Sequence, residues 1–391
     1  MKKINTVTVC LFAVFVLGFS VAFLLLPDNS FSEQENRGLR TLPSFSLEKL
    51  ADGTYGEEIN DYFADQFPLR DLLVGIKGGV EIALWKGEND GILLGENGQL
   101  AKRLFDVRRA DGSVTSVALD TFDPAHIQAG AQGINRVSSS LGIPFTALLT
   151  GRTLDVAESA FDYPVETSDA LFDTFYGALD ASVDALDTLP MFREKYENGE
   201  YVYYKTDHHW TTLGAYYAYA ELLCNWGMED AILPMDAFEK RTVSEAFYGT
   251  AWSAGGMKFV APDTMEFWML GNEDAFTVMA DGKTLDGFYS MGYLERKDKY
   301  SAFLDGTHDV VKIQKSTAED RPTLLMLKDS FANAMAPFLA QHFDLVLLNL
   351  SSVRSDFTDV THYAEEYSAD RVLLLYTIEN AVTANKLTKL R

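Results

Sequence analysis

Cysteine is scarce: the 391-residue chain has two, Cys10 in an apolar N-terminal run and Cys224 on a helical pattern, far apart in sequence. A disulfide framework is thereby excluded, and stability has to come from a large core. Basic residues are also under-represented, with 33 Lys and Arg against 57 Asp and Glu and a formal net charge of −24. No basic stripe reverses this locally, so nucleic acid is excluded as a partner. Internal repeats and low-complexity tracts are absent, which removes solenoids and disordered scaffolds. Histidine numbers six, and His126, His308, His342 and His362 show no metal-ligand spacing around the adjacent pair His208 and His209. No metal and no cofactor is expected.

A hydrophobic content of 47% with 13% aromatics defines a folded chain. Lys2 and Lys3 precede an uncharged run from Val7 to Leu26, long enough to cross about 30 Å of hydrocarbon. The flanking lysines keep the short tail cytoplasmic and place the chain after Pro27 outside. The reading is a single-pass membrane anchor at 1–27; a cleaved signal peptide is its competitor, with a shorter apolar core and a small-x-small site as its usual marks. Residues 28–46 are polar and turn-rich and read as a tether. From 47 to 391 the pattern is a folded body. It opens with helical spacing from Leu47 to Trp85, interrupted at Gln66-Phe-Pro-Leu-Arg70, followed by the strand Gly91-Ile-Leu-Leu94.

The body then alternates helix and strand, which argues for a mainly parallel sheet covered by helices. Ala125–Leu141 is a helix and Pro144–Leu149 a strand. Thr167–Leu186 reads as a helix, Leu189-Pro-Met-Phe192 as a strand, and Thr212–Trp226 as a helix. Thr323–Leu327, a helix from Phe331 to about His342, and Leu345–Leu350 form a βαβ unit; a helix near Thr361–Tyr367 and the strand Val372–Tyr376 close the series. Between about 228 and 320 short strands, glycines and aromatics indicate an antiparallel insertion over one edge of the sheet.

Two stretches carry chemistry. In Tyr203-Tyr-Lys-Thr-Asp-His-His-Trp210, residues two apart on extended backbone share a side, so Asp207 reaches His209 and His208 points away into the scaffold. A carboxylate on one imidazole nitrogen fixes the tautomer and frees the other nitrogen to take a proton. Ser330 sits at an abrupt strand-to-helix junction, Leu327-Lys-Asp-Ser-Phe331, where reactive groups of open α/β sheets gather. There the backbone N–H of Ser330 or Phe331 is placed to meet an oxyanion. Helix capping by Asp329, Ser330, Asp207 or Thr211 is the plain alternative for each residue, and zinc ligation the alternative for the His pair. The favoured reading is a catalytic triad of Ser330, His209 and Asp207.

These residues, Asp207-His-His-Trp210 after Tyr-Lys-Thr and Lys328-Asp-Ser-Phe331, together with Glu35-Asn-Arg37 and Phe67-Pro-Leu-Arg70, resemble the bacterial DHHW protein family. That family is similar in turn to the alginate O-acetylation proteins AlgX and AlgJ. The resemblance implies a flavodoxin-like, SGNH hydrolase-like three-layer α/β/α fold with the Asp-x-His part before the Ser. It makes Ser330 the nucleophile, His209 the base and Asp207 the orienting acid, with Trp210 packed beneath or beside the imidazole. Lys328, next to Asp329, stands where related hydrolases carry Gly, and Asn349 stands where an acidic residue is expected, with Arg354 displaced from its usual place. Asn333, Arg152 and Arg354 are candidates for oxyanion or sugar contacts. The implied function is O-acetyl transfer to hydroxyls of a cell-surface or exopolysaccharide, with a multispanning membrane protein as acetyl donor. An acetyl esterase is one alternative, and an inactive glycan-binding or scaffold protein of an exopolysaccharide assembly system is the other.

Overall fold

A computed structural model describes residues 2–32, 37–108, 114–316, 320–350, 358–383 and 386–391. The chain divides into two units, residues 1–89 with 256–259, and residues 90–255 with 260–391. The first is helical. Helix α1, Lys2–Leu25, has a mean hydropathy of 2.7 over Thr6–Leu25, so by length and composition it can cross a membrane, a test that a signal sequence also passes. Helices α2 (Leu47–Ala51), α3 (Thr54–Asp65) and α4 (Arg70–Ala83) come next. The break between α3 and α4 falls at the expected Gln66–Arg70. There Pro68 cannot continue the helical bonding of α3, and Leu69 takes a φ of 61°. Part of the segment read as a tether is bonded to α3: Arg37 makes a two-pronged pair with Asp65, 2.6 and 3.0 Å, and the Gln66 amide exchanges bonds with the backbone of Asn29.

The second unit is built on an eight-stranded sheet. Its strands are β1 (Phe145–Thr150), β2 (Asp184–Asp187), β3 (Phe276–Ala280), β4 (Lys283–Thr284), β5 (Val310–Lys315), β6 (Thr323–Lys328), β7 (Asp344–Asn349) and β8 (Arg371–Thr377). The order across the sheet is β4-β3-β5-β7-β6-β8-β1-β2. The pairs β7–β6, β6–β8, β8–β1 and β1–β2 are parallel, whereas β5–β7, β3–β5 and β3–β4 are antiparallel. Continuous apolar runs such as Leu324–Leu327 and Val372–Tyr376 are fully buried, as strands covered on both faces must be. Counting the parallel strands from β6, the order β7-β6-β8-β1-β2 becomes 2-1-3-4-5, the flavodoxin-like order entered at a different point of the chain. Its switch point lies between the carboxyl ends of β6 and β8.

Helix α5 (Pro124–Leu141) packs with α6 (Asp169–Tyr176), α11 (Val360–Glu366) and α12 (Ile378–Thr383), and α8 (Thr212–Asn225) packs with α10 (Ala332–Leu339); the short α9 (Thr250–Gly255) lies between these two in sequence. Three expectations change. Leu189–Phe192 is the start of helix α7 (Leu189–Glu197) rather than a strand. Pro190 presets the first helical turn, and the Asp187 carboxylate accepts from Leu189 N at 2.9 Å. The strand is the preceding Asp184–Asp187, so the helix expected through Leu186 stops at Tyr176. The insertion does form an antiparallel ribbon, Glu239–Phe247 with Asp263–Met269, but its later strands β3, β4 and β5 continue the main sheet through the β5–β7 pair.

The loop between α7 and α8 carries the Asp-His-His-Trp stretch, and its path is fixed by close packing on α8. Gly214, in the first turn of α8, has no room for a side chain: a Cβ there would lie 2.2 Å from Val202 O and 2.9 Å from Trp210 Cβ. Gly214→Ala is therefore expected to cost about 2 kcal/mol through overpacking, read as a lowered midpoint in denaturant unfolding; an unchanged midpoint would show that the loop and helix separate freely.

Candidate active site

Loop 198–211 crosses from α7 to α8 folded back on itself at one antiparallel bridge, Tyr203 with Trp210, and side chains hold the rest. The buried Asp263 carboxylate accepts from Lys205 N, Thr206 N, Thr206 Oγ1 and Tyr201 OH. Tyr203, fully buried, bonds Thr150 Oγ1 at 2.7 Å and donates to Gly151 O at 2.9 Å, which ties the loop to the carboxyl end of β1. Thr211 caps α8 by accepting from Gly214 N. Trp210 is fully buried and donates from Nε1 to Phe331 O at 3.1 Å, so the two chemical stretches are clamped together one residue beyond Ser330.

The clamp brings Ser330, His209 and Asp207 into one line. His209 Nδ1 lies 2.5 Å from Asp207 Oδ1, and His209 Nε2 lies 2.7 Å from Ser330 Oγ. Asp207 and His209 are buried, and Ser330 is partly exposed. The second oxygen of Asp207 accepts from Thr250 N at 2.9 Å and Thr250 Oγ1 at 3.2 Å. Burial alone would raise the Asp207 carboxyl, but the neighbouring imidazoles of His208 and His209 and the bonds it accepts hold it well below the usual carboxylate range. A carboxylate bonded to one nitrogen makes that nitrogen the donor, so the other nitrogen faces the serine as a base. The hydroxyl of a serine so placed can lose its proton to imidazole as it attacks an electrophile.

Other candidate positions fall differently. Trp210 packs edge-on against Phe331 at 5.1 Å, and the His209 ring is stacked on Tyr300, with centroids 3.6 Å apart and planes 8° apart, and flanked by the same Phe331 at 4.9 Å. His208 does not point into the scaffold: its side chain is half exposed, with Nδ1 2.7 Å from Thr250 Oγ1. It stays on the same side as its neighbours, with Nδ1 3.7 Å from Asp207 Oδ1 and its ring against that of His209, and it faces a cavity. Phe331 N donates to Asp329 Oδ1 at 3.0 Å and is committed, whereas Ser330 N donates to no group among the described residues. Asp329 joins the ends of β6 and β8 through Thr377 N, Thr377 Oγ1 and Asn380 Nδ2 at 2.7, 3.1 and 2.9 Å. Asn333 is buried with both ends of its amide engaged, by Lys328 Nζ at 2.8 Å and Gly306 O at 3.0 Å. Arg152 is buried rather than on the surface, paired with Asp155 and lying over the Phe105 ring at 3.8 Å. Arg354 lies outside the described residues.

Asp207, His208 and His209 each offer one ligand atom, all within 4.8 Å of one another. Three ring nitrogens in the group are already bonded, to Asp207, Ser330 and Thr250, and a metal ion would have to displace those bonds. Thr250 and Tyr300, which complete the site, come from the insertion, and Thr377 and Asn380 from the end of the chain. Nothing in their local sequence marks them, although Gly249-Thr250 has a structural signature: a Cβ on Gly249 would lie 2.3 Å from Asp207 Cβ.

Together these features define a doubly wound α/β protein with a hydrogen-bonded Ser-His-Asp set at the switch point of its sheet. The resemblance to the DHHW protein family is borne out: that family's profile matches residues 172–349, which include the histidine loop and the Ser330 junction. Among solved structures, Bacillus cereus PatB1 aligns with a TM-score of 0.61 at 20% identity, over 77% of this chain and 99% of that one. A DHHW family protein from Eubacterium siraeum aligns with a TM-score of 0.55 at 19% identity, over 75% and 95%. The O-acetyltransferase domain of Pseudomonas putida AlgJ aligns at 0.45 and 14% identity over 75% and 92%, a likeness too weak to define a shared fold. No curated protein sequence matches the chain.

Lys328 gives the site a measurable signature. Burial lowers its amine from the ordinary 10.5 to about 8. Below about pH 8 both folded and unfolded chains carry the proton, and the folded state bears the cost of a buried charge. Between about 8 and 10.5 only the unfolded chain holds the proton, so this group's contribution to stability rises with pH. Lys328→Met is expected to stabilise the protein by roughly 2 kcal/mol at pH 7, after the loss of the bond to Asn333. The advantage over wild type should shrink between pH 8 and 10.5 in denaturant titrations; a difference independent of pH would place the amine in water.

Proposed function

We propose that the chain is a serine-dependent acyl-transfer enzyme, an O-acetyltransferase acting on hydroxyls of a cell-surface or extracellular polysaccharide. It is held at the membrane by α1 with the body outside, on an SGNH hydrolase-like fold. The observation that carries the reading is the 2.7 Å contact between His209 Nε2 and Ser330 Oγ, with His209 Nδ1 on a buried carboxylate. The family resemblance supplies the acetyl group, the glycan acceptor and a multispanning donor protein.

In this reading Ser330 Oγ attacks the acetyl carbonyl and its proton passes to His209 Nε2. The oxyanion that forms is met by Ser330 N–H. Collapse expels the donor's alcohol or thiol, which takes the proton from His209 and leaves acetyl-Ser330. An acceptor hydroxyl then gives its proton to His209, attacks the acetyl carbon and restores the serine. With water in place of the sugar, the same steps make an esterase. Asp207 holds the ring and offsets the imidazolium charge. Tyr300, parallel to the ring, presents its π face to that charge. The lysine in the glycine position is no obstacle, since its amine is turned to Asn333.

A solved PatB1 structure contains a sulfonyl adduct, so a sulfonyl fluoride is a suitable probe. Intact-mass and peptide spectrometry should find one adduct, on Ser330, absent in Ser330→Ala and formed at least a hundredfold more slowly in His209→Ala. A folded wild-type protein that stays unlabelled would sink the enzyme reading in favour of a glycan-binding scaffold. Thr250→Val removes the hydroxyl bond to Asp207 but keeps the backbone one; it should lower kcat/KM for an activated acetyl ester about tenfold, close to 1.4 kcal/mol. Wild-type turnover in this variant would mean that the backbone donor alone positions Asp207.

A further inference from the structure

Beside the triad lies a cavity of about 190 Å³ that the acyl-transfer steps do not use. Its apolar walls include Ile92, Leu100, Leu154 and Ala254, and its polar groups include Lys102, Asp106, Arg152, His208, Thr250 and Glu379. We propose that it holds one neutral pyranose unit of the acceptor glycan, set beside His209 by His208 and Glu379. The inference rests on the acyl-transfer reading for its role in catalysis, but the cavity and its selectivity do not depend on turnover.

Size limits the occupant. A cavity of about 150 Å³ takes a six-membered ring such as benzene, whereas pockets for larger ligands begin near 300 Å³. One sugar ring fits, and a longer stretch of polymer has to lie outside.

Position links the cavity to the chemistry. The His208 ring, which lines the cavity, lies against that of His209, centroids 3.8 Å apart, so one imidazole separates the cavity from the base. The Thr250 hydroxyl contacts both His208 Nδ1 and Asp207 Oδ2. An ionised carboxylate has no proton to give, so the one hydroxyl proton goes to Asp207 and the hydroxyl lone pair accepts Nδ1–H of His208. That leaves Nε2 of His208 as an acceptor for a sugar hydroxyl.

Charge sets the class of sugar. Lys102 is paired with Asp106, and Arg152 with Asp155. Among the described residues lining the cavity, no cation is left for a carboxylate ligand, and the whole chain carries −24. Glu379 spends one oxygen on Asp106 N at 2.6 Å, which leaves its other oxygen to accept from a sugar hydroxyl. A uronic acid in this place would face Glu379 and break an existing ion pair. A neutral hexose finds donors and acceptors without either cost.

The test uses the full-length protein in detergent carrying Ser330→Ala, titrated calorimetrically with cellohexaose, chitohexaose and hexagalacturonate. At least one neutral hexamer is expected to bind tenfold or more tightly than the uronate. Ala254→Phe, which fills the cavity from an exposed position, should weaken that binding at least tenfold, and so should Glu379→Ala. Equal or tighter binding of hexagalacturonate, no binding of either neutral hexamer, or affinity untouched by both substitutions would each overturn the proposal. If Ala254→Phe does not fold, Glu379→Ala decides. Failure of sulfonyl labelling at Ser330 would remove the acyl-transfer reading alone, because the binding measurement is made without the nucleophile. Where labelling succeeds, Ala254→Phe in the active protein should also lower the ratio of sugar-acetylated to hydrolysed product about tenfold.

Discussion

A carboxylate withdrawn from water needs donors on every side, and the site is organised around that demand at Asp207. Left bare, such a group would neutralise itself by taking up a proton. Here it meets His209 N, His209 Nδ1, Thr250 N and Thr250 Oγ1. Each donor comes at a structural cost elsewhere. Thr250 reaches Asp207 only because Gly249 lets the backbone pass within a distance no Cβ tolerates. The loop that carries Asp207 has a single antiparallel bridge of its own, Tyr203 with Trp210, and beyond it depends on a second buried carboxylate, Asp263, for its backbone donors. Two buried acids thus do for this irregular segment what hydrogen-bonded strands do for the sheet.

The serine side is fixed by the same device. Asp329 is adjacent to the nucleophile yet turns away from it, spending its oxygens on Phe331 N and on the end of β8. This fastens the two strands that flank the switch point, where an open α/β sheet leaves its crevice. Trp210 then spans the remaining gap by donating to Phe331 O. The serine and the histidine are 121 residues apart in the chain, and one indole and one carboxylate set their separation.

The parts legible in the sequence are those governed by local periodicity. Apolar runs mark β1, β6, β7 and β8, and the expected pairing of Asp207 with His209 is met, although on a bend in which Asp207 Oδ1 accepts from His209 N rather than on extended backbone. The parts that escape it depend on what the chain meets after folding. Leu189–Phe192 looks like a strand by composition, but Pro190 and the Asp187 side chain start a helix there. Tyr300 and Thr250 come from an insertion whose sequence is that of ordinary turns and aromatics, and only its packing puts them on His209 and Asp207. His208 departs from its expected place, since alternation presumes a strand and the chain bends there, which leaves its ring against His209 and facing a cavity. Asn333 has the right chemistry for an oxyanion donor, but its Nδ2–H is spent on Gly306 O while Lys328 donates to its oxygen.

Lys328 shows how such a site trades stability for arrangement. A buried amine is an expensive neighbour for a nucleophile, and an apolar residue of the same length would pack with less penalty. It occupies the last residue of β6, and through Asn333 it reaches Gly306 O, at the end of the segment that carries Tyr300. The segment that carries the ring stacked on His209 is thus joined to the strand that carries Ser330 by a charged hydrogen bond as well as by apolar packing. A methionine in its place would keep the bond from Asn333 to Gly306 O but lose the link from Asn333 to β6, so the burial cost of the amine is the counterpart of that charged tie between the strand of the nucleophile and the Tyr300 segment.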